Sequence, residues 1–360
     1  MLLRYGISNA IEKGFLQLAG RLPPFVFRAI AGRAVSIDGQ TLDPGIAFAL
    51  KKLKANPMSR VEKVPIRVSR RFMDVETWKY GGMQHVDRID TLSFRSGDVR
   101  LSFRRYCAAR SSRAALVYFH GGGWVLGGLD ASDPICRFLA IHAGVTVFSV
   151  DYRLAPEHRF PAAVNDAIAG FRWIRNEADR WGIDPKLIAV GGDSAGGNLA
   201  TVAALRTRND ERGGPAFQLL LYPVTDLSEK HPSHRLFDKE FLPTSAQADW
   251  FRDQYLRVPE DALDPNASPL LTADVGGAAP AYIATAGFDV LRDEAEAYAS
   301  RLAQAGVPTT LRRHASLAHN FASGLGVSRP SRLAMLEAAA ALKAGLASGG
   351  FARAGKENGR

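Results

Sequence analysis

The chain contains only two cysteines, Cys107 and Cys136, among its 360 residues. Two cysteines cannot build the disulfide framework of a small secreted domain, so they are either buried free thiols or a single pair. The N-terminus also lacks an uninterrupted apolar segment followed by a small-residue cleavage site, and no apolar run reaches the length of a membrane span. These absences favour a cytoplasmic protein.

The patterns that hold cofactors and nucleic acids are also missing from the sequence. We find no internal repeat and no cluster of His, Cys, Asp and Glu with metal-ligand spacing, and the glycine runs do not follow phosphate-loop spacing. The formal net charge is +10, but no nucleic-acid recognition motif accompanies it. We therefore expect no cofactor, no metal ion and no nucleic-acid partner.

A serine flanked by glycines is the most informative feature that is present. The segment Val190–Gly197 has the sequence V-G-G-D-S-A-G-G, in which Ser194 lies between Gly192 and Gly196. The apolar run before it predicts a buried strand, and Ala195–Leu205 predicts a helix. Glycines two positions before and after a serine let the neighbouring backbone pass closely, as a nucleophile elbow requires. Taken alone, the pattern also fits a glycine-rich turn.

A second glycine run follows a predicted buried strand upstream. The strand at Ala114–Phe119 leads into the sequence H-G-G-G-W, whose glycines are Gly121, Gly122 and Gly123. Backbone N–H groups in such a run can converge on one point, where they would stabilise the oxyanion that forms during acyl transfer. A flexible turn is the alternative interpretation.

A serine nucleophile needs a histidine as general base. The histidines that follow Ser194 in the chain are His231, His234, His314 and His319. His319 follows the last predicted strand, Thr309–Arg313, where a loop can bring an imidazole over the sheet. His314 lies within or at the end of that strand, and the other two lie in a polar stretch that we assign to the surface or a cap. We therefore favour His319.

The histidine in turn needs a carboxylate that orients it. Asp289 comes just after a predicted strand at Pro280–Gly287. Asp293 and Glu294 follow in the expected first turn of the next helix, where a carboxylate usually serves only to complement the helix dipole. We therefore assign Asp289 as the acid.

Together these motifs resemble the hormone-sensitive lipase family of α/β-hydrolases, the bacterial carboxylesterases with an H-G-G-G motif and a G-D-S-A-G elbow. Three more segments are similar to the family's D-Y-R-L-A-P-E-x-x-F-P-A, D-P-L-R-D-E and H-G-F patterns. They are Asp151–Pro161, Asp289–Glu294 and His319–Phe321. The resemblance covers roughly residues 62–345, in the family's order and spacing.

The resemblance implies that Ser194 is the nucleophile, His319 the general base and acid, and Asp289 the group that orients the imidazole. It implies that the oxyanion donors are the N–H groups of Gly122, Gly123 and Ala195, with Gly121 as a further candidate. Val290 and Asn320 depart from the usual Pro and Gly of the family. These departures put local loop geometry in question, but neither removes a reacting group.

Two neighbouring features have structural interpretations. Asp193, beside the predicted nucleophile, is expected to accept hydrogen bonds from nearby N–H groups rather than to transfer protons. The segment Asp151–Pro161 contains no group placed to attack a substrate, and we expect it to support the oxyanion loop by packing.

The family resemblance further implies hydrolysis of small-molecule carboxylic esters with short to medium acyl chains, without a cofactor. Long-chain lipase, lactonase and amidase activities are alternatives within the hydrolases. A non-catalytic small-molecule receptor and a dehydratase are alternatives from other classes. Retention of Ser194, Asp289 and His319 argues against the receptor, and the intact serine argues against the dehydratase. The resemblance also permits a homodimer through the edge strand at Thr309–Arg313.

The predicted elements place the chain in the α/β class with an α/β-hydrolase fold. We expect a mostly parallel sheet of about eight strands, covered by helices on both faces, with antiparallel strands early and a helical cap. The predicted strands are Ile66–Phe72, Asp90–Phe94, Val99–Tyr106, Ala114–Phe119, Val145–Val150, Leu187–Gly191, Phe217–Tyr222, Tyr282–Ala286 and Thr309–Arg313.

The remaining segments predict the cap and the tail. We expect an N-terminal cap region at residues 1–61, a hydrolase domain at 62–348 with a cap insert at about 226–274, and a disordered tail at 349–360. Large apolar residues recur at helical spacing near the N-terminus, at Ile7, Ile11, Phe15, Leu18 and Leu22.

This apolar stripe must be covered by something, and we expect it to bury against the protein's own core or pocket. The same region is basic, because residues 1–60 contain nine Lys and Arg against three Asp and Glu. Peripheral contact with an anionic membrane surface is therefore the alternative.

Overall fold

The computed structural model describes residues 5–20 and 22–357, and its centre is an eight-stranded sheet. Numbered in chain order, the strands are β1 Arg88–Ser96, β2 Val99–Cys107, β3 Ala115–Phe119, β4 Thr146–Asp151, β5 Ile188–Asp193, β6 Gln218–Leu221, β7 Ala281–Phe288 and β8 Thr309–Ala318. Their order across the sheet is β8-β7-β6-β5-β3-β4-β2-β1.

The sheet is mostly parallel, as the sequence predicts. Among the described strands of this sheet, only the pairs β1–β2 and β2–β4 are antiparallel, and they involve the earliest strands. The central strands β3, β5, β6 and β7 are buried along their whole length. Their continuous apolar sequences follow from this position, because a parallel strand covered on both faces has no polar side to present.

Helices cover both faces of the sheet and also precede it. They are α1 Ile7–Ala19, α2 Pro24–Ala31, α3 Pro44–Ala55, α4 Ile66–Tyr80, α5 Asp133–Leu139, α6 Ala162–Asn176, α7 Ala195–Thr207, α8 Pro232–Leu236, α9 Ser245–Tyr255, α10 Arg292–Gln304 and α11 Arg329–Glu357. One apolar core contains Phe171 of α6, Leu199 of α7 and Leu302 of α10. The other contains Phe138 of α5 and Met335 of α11.

The strand that we expect at Ile66–Phe72 is wrong, because this segment begins helix α4, Ile66–Tyr80. Ser69, Met73 and Thr77 follow one another at intervals of four residues and face the same cavity. That spacing matches the helical repeat rather than the alternation of a strand. A seven-residue window that ends inside the helix is too short to separate the two periods. The other predicted strands are all present.

The helices that precede the sheet continue to Tyr80, past the predicted boundary at residue 61, and α8 and α9 lie in the insert between β6 and β7. The predicted disordered tail overlaps α11 as far as Glu357, while residues 358–360 lie outside the described part of the chain.

Cys107 and Cys136 are both free thiols. Among the described residues, no helix combines the length and the apolar character that a membrane crossing needs.

The apolar stripe of α1 is exposed, so the expectation that it buries against the protein's own core is wrong. Ile7 is 73% exposed and Ile11 is 69% exposed. The helix turns a different face inward, with Leu16 buried, and Tyr5, just before the helix, stacks against Trp78 with ring centroids 4.6 Å apart. Glu12 on this inner face forms an ion pair of 2.8 Å with the Lys79 ammonium. Helical spacing alone identified an amphipathic helix but not which face the protein covers.

Candidate active site

Ser194 lies on a strained turn between β5 and α7. Its φ is +54° and its ψ is −120°, a conformation that a non-glycine residue keeps only when its surroundings fix it. The backbone N–H of Ser194 donates to the carbonyl oxygen of Leu221 at 2.9 Å. A Cβ atom at Gly196 would lie 2.0 Å from the carbonyl oxygen of Phe119, and one at Gly192 would also collide with backbone. The turn therefore has the geometry that the glycine spacing predicts.

A chain of hydrogen bonds joins Ser194 to Asp289 through His319. Nε2 of His319 lies 3.0 Å from Oγ of Ser194, and Nδ1 lies 2.7 Å from Oδ2 of Asp289. The other carboxylate oxygen of Asp289 accepts the backbone N–H of Leu291 at 3.0 Å. With Nδ1–H donated to the carboxylate, Nε2 is the nitrogen that can accept the serine proton. The three side chains come from the ends of β5, β7 and β8.

The two positions that depart from the family pattern fit their surroundings. Asn320 adopts the left-handed conformation, with φ +61°, which Asn tolerates better than most non-glycine residues. The Val290 side chain is buried, and its carbonyl oxygen accepts the hydroxyl of Ser233 at 2.6 Å. Neither departure disturbs the contact between His319 and Asp289.

The glycine loop after β3 leaves backbone donors near the serine. Gly122 and Gly123 have φ values of +115° and +60°. Gly121 differs, because its N–H donates to Oδ1 of Asp193 at 2.9 Å. Within the described chain, no group accepts the N–H of Gly122, Gly123 or Ala195, and Ala195 is the first residue of α7, where helices leave N–H groups unpaired. Gly121 is thus occupied elsewhere, and the other three remain available.

Asp193 is a buried acceptor that connects the elbow to this loop. Besides the N–H of Gly121, its Oδ1 accepts the hydroxyl of Tyr118 at 2.6 Å. Burial raises the pKa of the Asp193 carboxyl. The predicted role of Asp193 as a loop-stabilising acceptor is confirmed by these contacts.

His120 contacts the backbone of the glycine loop and the ring of Tyr152. Burial lowers the pKa of His120 to about 4, which leaves its imidazole neutral at pH 7. Nδ1 lies 2.8 Å from the carbonyl oxygen of Gly121. The ring stacks on Tyr152 with centroids 4.2 Å apart, and the Tyr152 hydroxyl donates to the backbone carbonyl of His120 at 2.7 Å. Tyr152 belongs to the segment Asp151–Pro161, so the predicted packing role of that segment is confirmed.

A cavity of about 330 Å³ opens beside the serine, and Ser194 and His319 line it. Apolar residues from the helices before the sheet form much of its wall, namely Ile46, Leu50, Leu53, Phe72 and Met73. Sequence reasoning missed this wall from α3 and α4, because it assigned the start of α4 to a strand. The sequence of the cap insert offers five aromatic residues as candidates for a lid or pocket wall, namely Phe237, Phe241, Trp250, Phe251 and Tyr255. Phe251 faces the cavity, whereas Phe237, Phe241 and Tyr255 belong to the core and Trp250 packs against it.

The rival histidines His231, His234 and His314 contact other groups. His314 lies within β8, as expected. His234 is buried rather than at the surface, with Nε2 3.4 Å from Oε2 of Glu294. Glu294 is also fully buried, and its Oε1 accepts the N–H groups of Thr225 and Asp226 at 2.8 and 3.2 Å. Burial raises the pKa of Glu294. Glu294 lies in the first turn of α10 and, through these hydrogen bonds, also fixes the turn after β6.

A group of potential metal ligands lies near the cavity, where Asp226, Glu229 and His231 hold one ligand atom each within 4.8 Å of one another. The Glu229 side chain is 73% exposed. His231 already contacts Oδ2 of Asp226 at 3.0 Å. These contacts explain the group as a histidine–carboxylate pair beside an exposed acid.

Comparison with known proteins agrees with this geometry. The sequence profile of the alpha/beta hydrolase fold matches residues 116–323. Carboxylic ester hydrolase LipN of Mycobacterium tuberculosis is 43% identical over 325 residues, which cover 88% of this chain and 86% of the relative. Ethyl acetate hydrolase of Pseudomonas putida is 38% identical over 294 residues, which cover 78% of this chain and 92% of the relative.

Solved structures give the same result. The hyperthermophilic esterase from Pyrobaculum calidifontis aligns with a TM-score of 0.77 and 34% identity, over 82% of this chain and 97% of the esterase. An ester hydrolase from the metagenome of Lake Arreo, bound to a bipyridine phosphonate derivative, aligns with a TM-score of 0.79 and 37% identity, over 84% and 98%. The chain therefore belongs to the α/β-hydrolase fold family, in the branch of enzymes similar to hormone-sensitive lipase.

Proposed function

We propose that this enzyme hydrolyses carboxylic esters with short to medium acyl chains by acyl transfer through Ser194. Its relatives carry the names of carboxylic ester hydrolases and esterases, including one named for ethyl acetate. The observation that carries the proposal is the chain of hydrogen bonds of 2.7 and 3.0 Å from Asp289 through His319 to Ser194.

In the first half of the reaction, Oγ of Ser194 attacks the ester carbonyl while Nε2 of His319 takes the hydroxyl proton. The carbonyl electron pair moves onto oxygen, and the N–H groups of Gly122, Gly123 and Ala195 stabilise this oxyanion. When the tetrahedral intermediate collapses, the bond to the alcohol oxygen breaks. The alcohol leaves with the proton from His319, and the acyl group stays on Ser194.

In the second half, water replaces the alcohol. His319 takes a proton from water as its oxygen attacks the acyl carbonyl, and the same N–H groups hold the second oxyanion. Collapse breaks the bond to Oγ of Ser194, which recovers its proton from His319. Asp289 stabilises the imidazolium in both halves without itself taking a proton.

The size and lining of the cavity support short to medium acyl chains. Its volume of about 330 Å³ is at the small end of the range for small-molecule sites. The apolar side chains of Ile46, Leu50 and Met73 offer a surface for an alkyl chain rather than for a charged group.

The test is the rate of hydrolysis of p-nitrophenyl esters from acetate to palmitate, for the wild type and for Ser194→Ala. We expect a serine-dependent maximum at short or medium chains. A maximum at long chains would indicate a lipase instead. An absence of activity at every length would favour the amidase, lactonase or receptor alternatives.

The exposed apolar residues near the N-terminus support peripheral contact with an anionic membrane. They are Ile7, Ile11, Phe15, Leu18, Leu22, Phe25 and Ile30, each between 43% and 73% exposed. A basic amphipathic surface of this kind lies in the headgroup region, where apolar side chains insert and Lys and Arg meet anionic lipids. The substrate would then be an ester drawn from that interface.

Flotation with phosphatidylglycerol vesicles tests this contact. We expect the wild type to float and the Ile11→Asn, Phe15→Asn double variant to remain at the bottom. Leu333→Asn is the matched control, because Leu333 is a 55% exposed leucine on α11. Equal behaviour of the wild type and the double variant would contradict the membrane contact.

The part of the β8 edge at Thr309–Arg313 supports a homodimer, whereas nearer the end of the strand the carbonyl of Ser316 already accepts the N–H of Asp43 at 2.9 Å. Among the described strands of this sheet, β8 pairs only with β7, and an edge strand offers N–H and C=O groups to a second copy. Light scattering should give the mass of a dimer for the wild type and of a monomer for Leu311→Lys, which changes an exposed residue of that edge. A monomeric wild type would contradict the dimer.

A further inference from the structure

Two aromatic rings of helix α9, in the cap insert, contact successive residues of the glycine loop. A Cβ atom at Gly123 would lie 2.2 Å from Cδ1 and 2.4 Å from Cγ of Phe251, so the ring packs directly on the Gly123 backbone. Four residues later, Tyr255 stacks on Trp124 with centroids 4.1 Å apart and planes inclined by 4°. Residues four apart share one face of a helix. This face of α9 therefore covers the loop.

The loop needs such support because its backbone is unusual. Gly122, Gly123 and Trp124 have consecutive positive φ values of 115°, 60° and 60°. For Trp124 this conformation is unfavourable by about 1–2 kcal/mol and persists only when neighbours hold it. The Trp124 carbonyl accepts the N–H of Ala155 at 2.9 Å, which fixes the far end of the loop. Phe251 provides the contact at the glycine end, where the unpaired N–H groups lie.

Helix α9 also connects this loop to the helices before the sheet. Gln247, in its first turn, is 5% exposed. Its side-chain NH₂ donates to the carbonyl oxygen of Ser59 at 2.9 Å and to the carboxylate of Glu62 at 3.0 Å. At the other end of the helix, the Tyr255 carbonyl accepts the N–H of Phe160 at 2.8 Å. One helix thus joins the N-terminal region, the insert and the glycine loop.

We infer that Phe251 and Tyr255 are positioning residues for the oxyanion donors. Their rings hold the backbone of Gly123 and Trp124, so that the neighbouring N–H groups point to where the ester oxygen becomes negative. Phe251 also lines the substrate cavity, so a movement of α9 that widens the cavity would release the donors at the same time. Catalytic competence then depends on the position of the cap. The inference rests on the proposed function, in which these N–H groups bind the oxyanion.

The test compares Phe251→Ala with Leu227→Ala. Both residues line the cavity, but Leu227 lies in the loop after β6 and has no part in the packing on Gly123. Two measurements separate positioning from a change in pocket shape. The first is kcat and KM for p-nitrophenyl butyrate. The second is the Ki of a trifluoromethyl ketone, which forms a hemiketal oxyanion on the serine and needs the same donors.

For Phe251→Ala we expect a fall in kcat of about 10²-fold, which is the size of the loss of one oxyanion donor. KM should change little, and the Ki of the ketone should rise in parallel with the loss of kcat/KM. For Leu227→Ala we expect KM to rise while kcat remains close to that of the wild type. Phe251→Leu, which restores apolar volume over the glycine, should recover part of the rate.

Several outcomes would overturn the inference. One is a Phe251→Ala enzyme with wild-type kcat, and another is a loss that appears in KM alone. If Phe251→Ala does not fold, the same measurements on Phe251→Leu decide, because an unchanged kcat and Ki there would contradict positioning. Failure of the proposed function would look different, because the wild type itself would then show no turnover dependent on Ser194 and no inhibition by the ketone.

Discussion

The carboxylate of Asp193 accepts the backbone N–H of Gly121 at 2.9 Å, and this contact joins the turn of the nucleophile to the glycine loop. Asp193 directly precedes Ser194, and Gly121 directly precedes Gly122. The same carboxylate oxygen accepts the hydroxyl of Tyr118 at 2.6 Å. One buried acid therefore fixes the serine relative to the N–H groups that are proposed to face its substrate.

Replacing Asp193 by Ala should lower both stability and activity. The change leaves the N–H of Gly121 and the hydroxyl of Tyr118 buried without their acceptor, and each loss costs about 1–3 kcal/mol. We expect urea unfolding to show a loss of about 2–6 kcal/mol together with a lower kcat/KM. Asp193→Asn keeps a carbonyl oxygen in place and should lose less of both. Equal stability of the Ala variant and the wild type would show that this contact does not hold the loop.

Asp289→Asn should lower kcat by about 10⁴-fold while the fold stays intact. An amide at this position favours the wrong imidazole tautomer, because it can donate to Nδ1 instead of accepting from it. The control is Asp293→Asn, which alters the rival acid in the first turn of α10 and should keep most of the activity. Steady-state kinetics with p-nitrophenyl butyrate give both values. A larger loss in the Asp293 variant would move the role of the acid to Asp293.

Gly123→Ala should abolish most activity, whereas Gly277→Ala should not. Both glycines have positive φ, +60° and +69°, so both substitutions introduce a backbone strain of about 1–2 kcal/mol. Only at Gly123 would the added Cβ meet another residue, the ring of Phe251, because nothing lies within 4 Å of a Cβ at Gly277. Because both variants carry the strain of a positive φ, the difference between their kcat/KM values measures the effect of the collision with Phe251. Equal losses would contradict the packing of Phe251 on the loop.

That Ser194, Asp289 and His319 lie together could be predicted from the sequence, because local chain features position them. Ser194, Asp289 and His319 each follow the end of a parallel strand, and the carboxyl ends of such strands meet at one edge of the sheet. A motif at a strand end therefore predicts where its side chain lies. The glycine that points away, Gly121, could not be identified this way, because its direction is set by Asp193 on another strand.

Contacts between distant segments could not be predicted from the sequence. The ring of Phe251 reaches Gly123 across the fold, and no local pattern encodes that approach. Glu294 shows the same limit, since its place in the first turn of α10 indicated a helix-end role while the packing buries it against the turn after β6. The apolar residues that begin at Ile7 recur at helical spacing, which predicts a buried face, yet tertiary packing leaves them exposed and covers a different face of the helix.

His120 should make stability depend on pH. Its folded-state pKa is about 4, below the unfolded value of about 6.5. A group with a lowered folded pKa contributes stability that is fully present above the unfolded pKa and is lost as pH falls toward the folded pKa. The stability advantage of the wild type over His120→Asn should therefore shrink by about 2 kcal/mol between pH 7 and pH 4.5.

Urea unfolding of both proteins at the two pH values measures this difference. The buried carboxyl groups of Asp193 and Glu294, whose pKa values are raised, titrate in both proteins and cancel to first order. A difference that is independent of pH would show that His120 does not titrate in this range.

The central claim is that Ser194 carries the acyl group, and trapping that intermediate tests it most directly. The wild type, mixed with a small excess of p-nitrophenyl acetate and quenched in acid, should release a burst of p-nitrophenol close to the enzyme concentration. Mass spectrometry of the digested protein should then find the acetyl group on the peptide that contains Ser194, and Ser194→Ala should show neither the burst nor the label. A burst that persists in Ser194→Ala, or an acetyl group on another residue, would contradict the account.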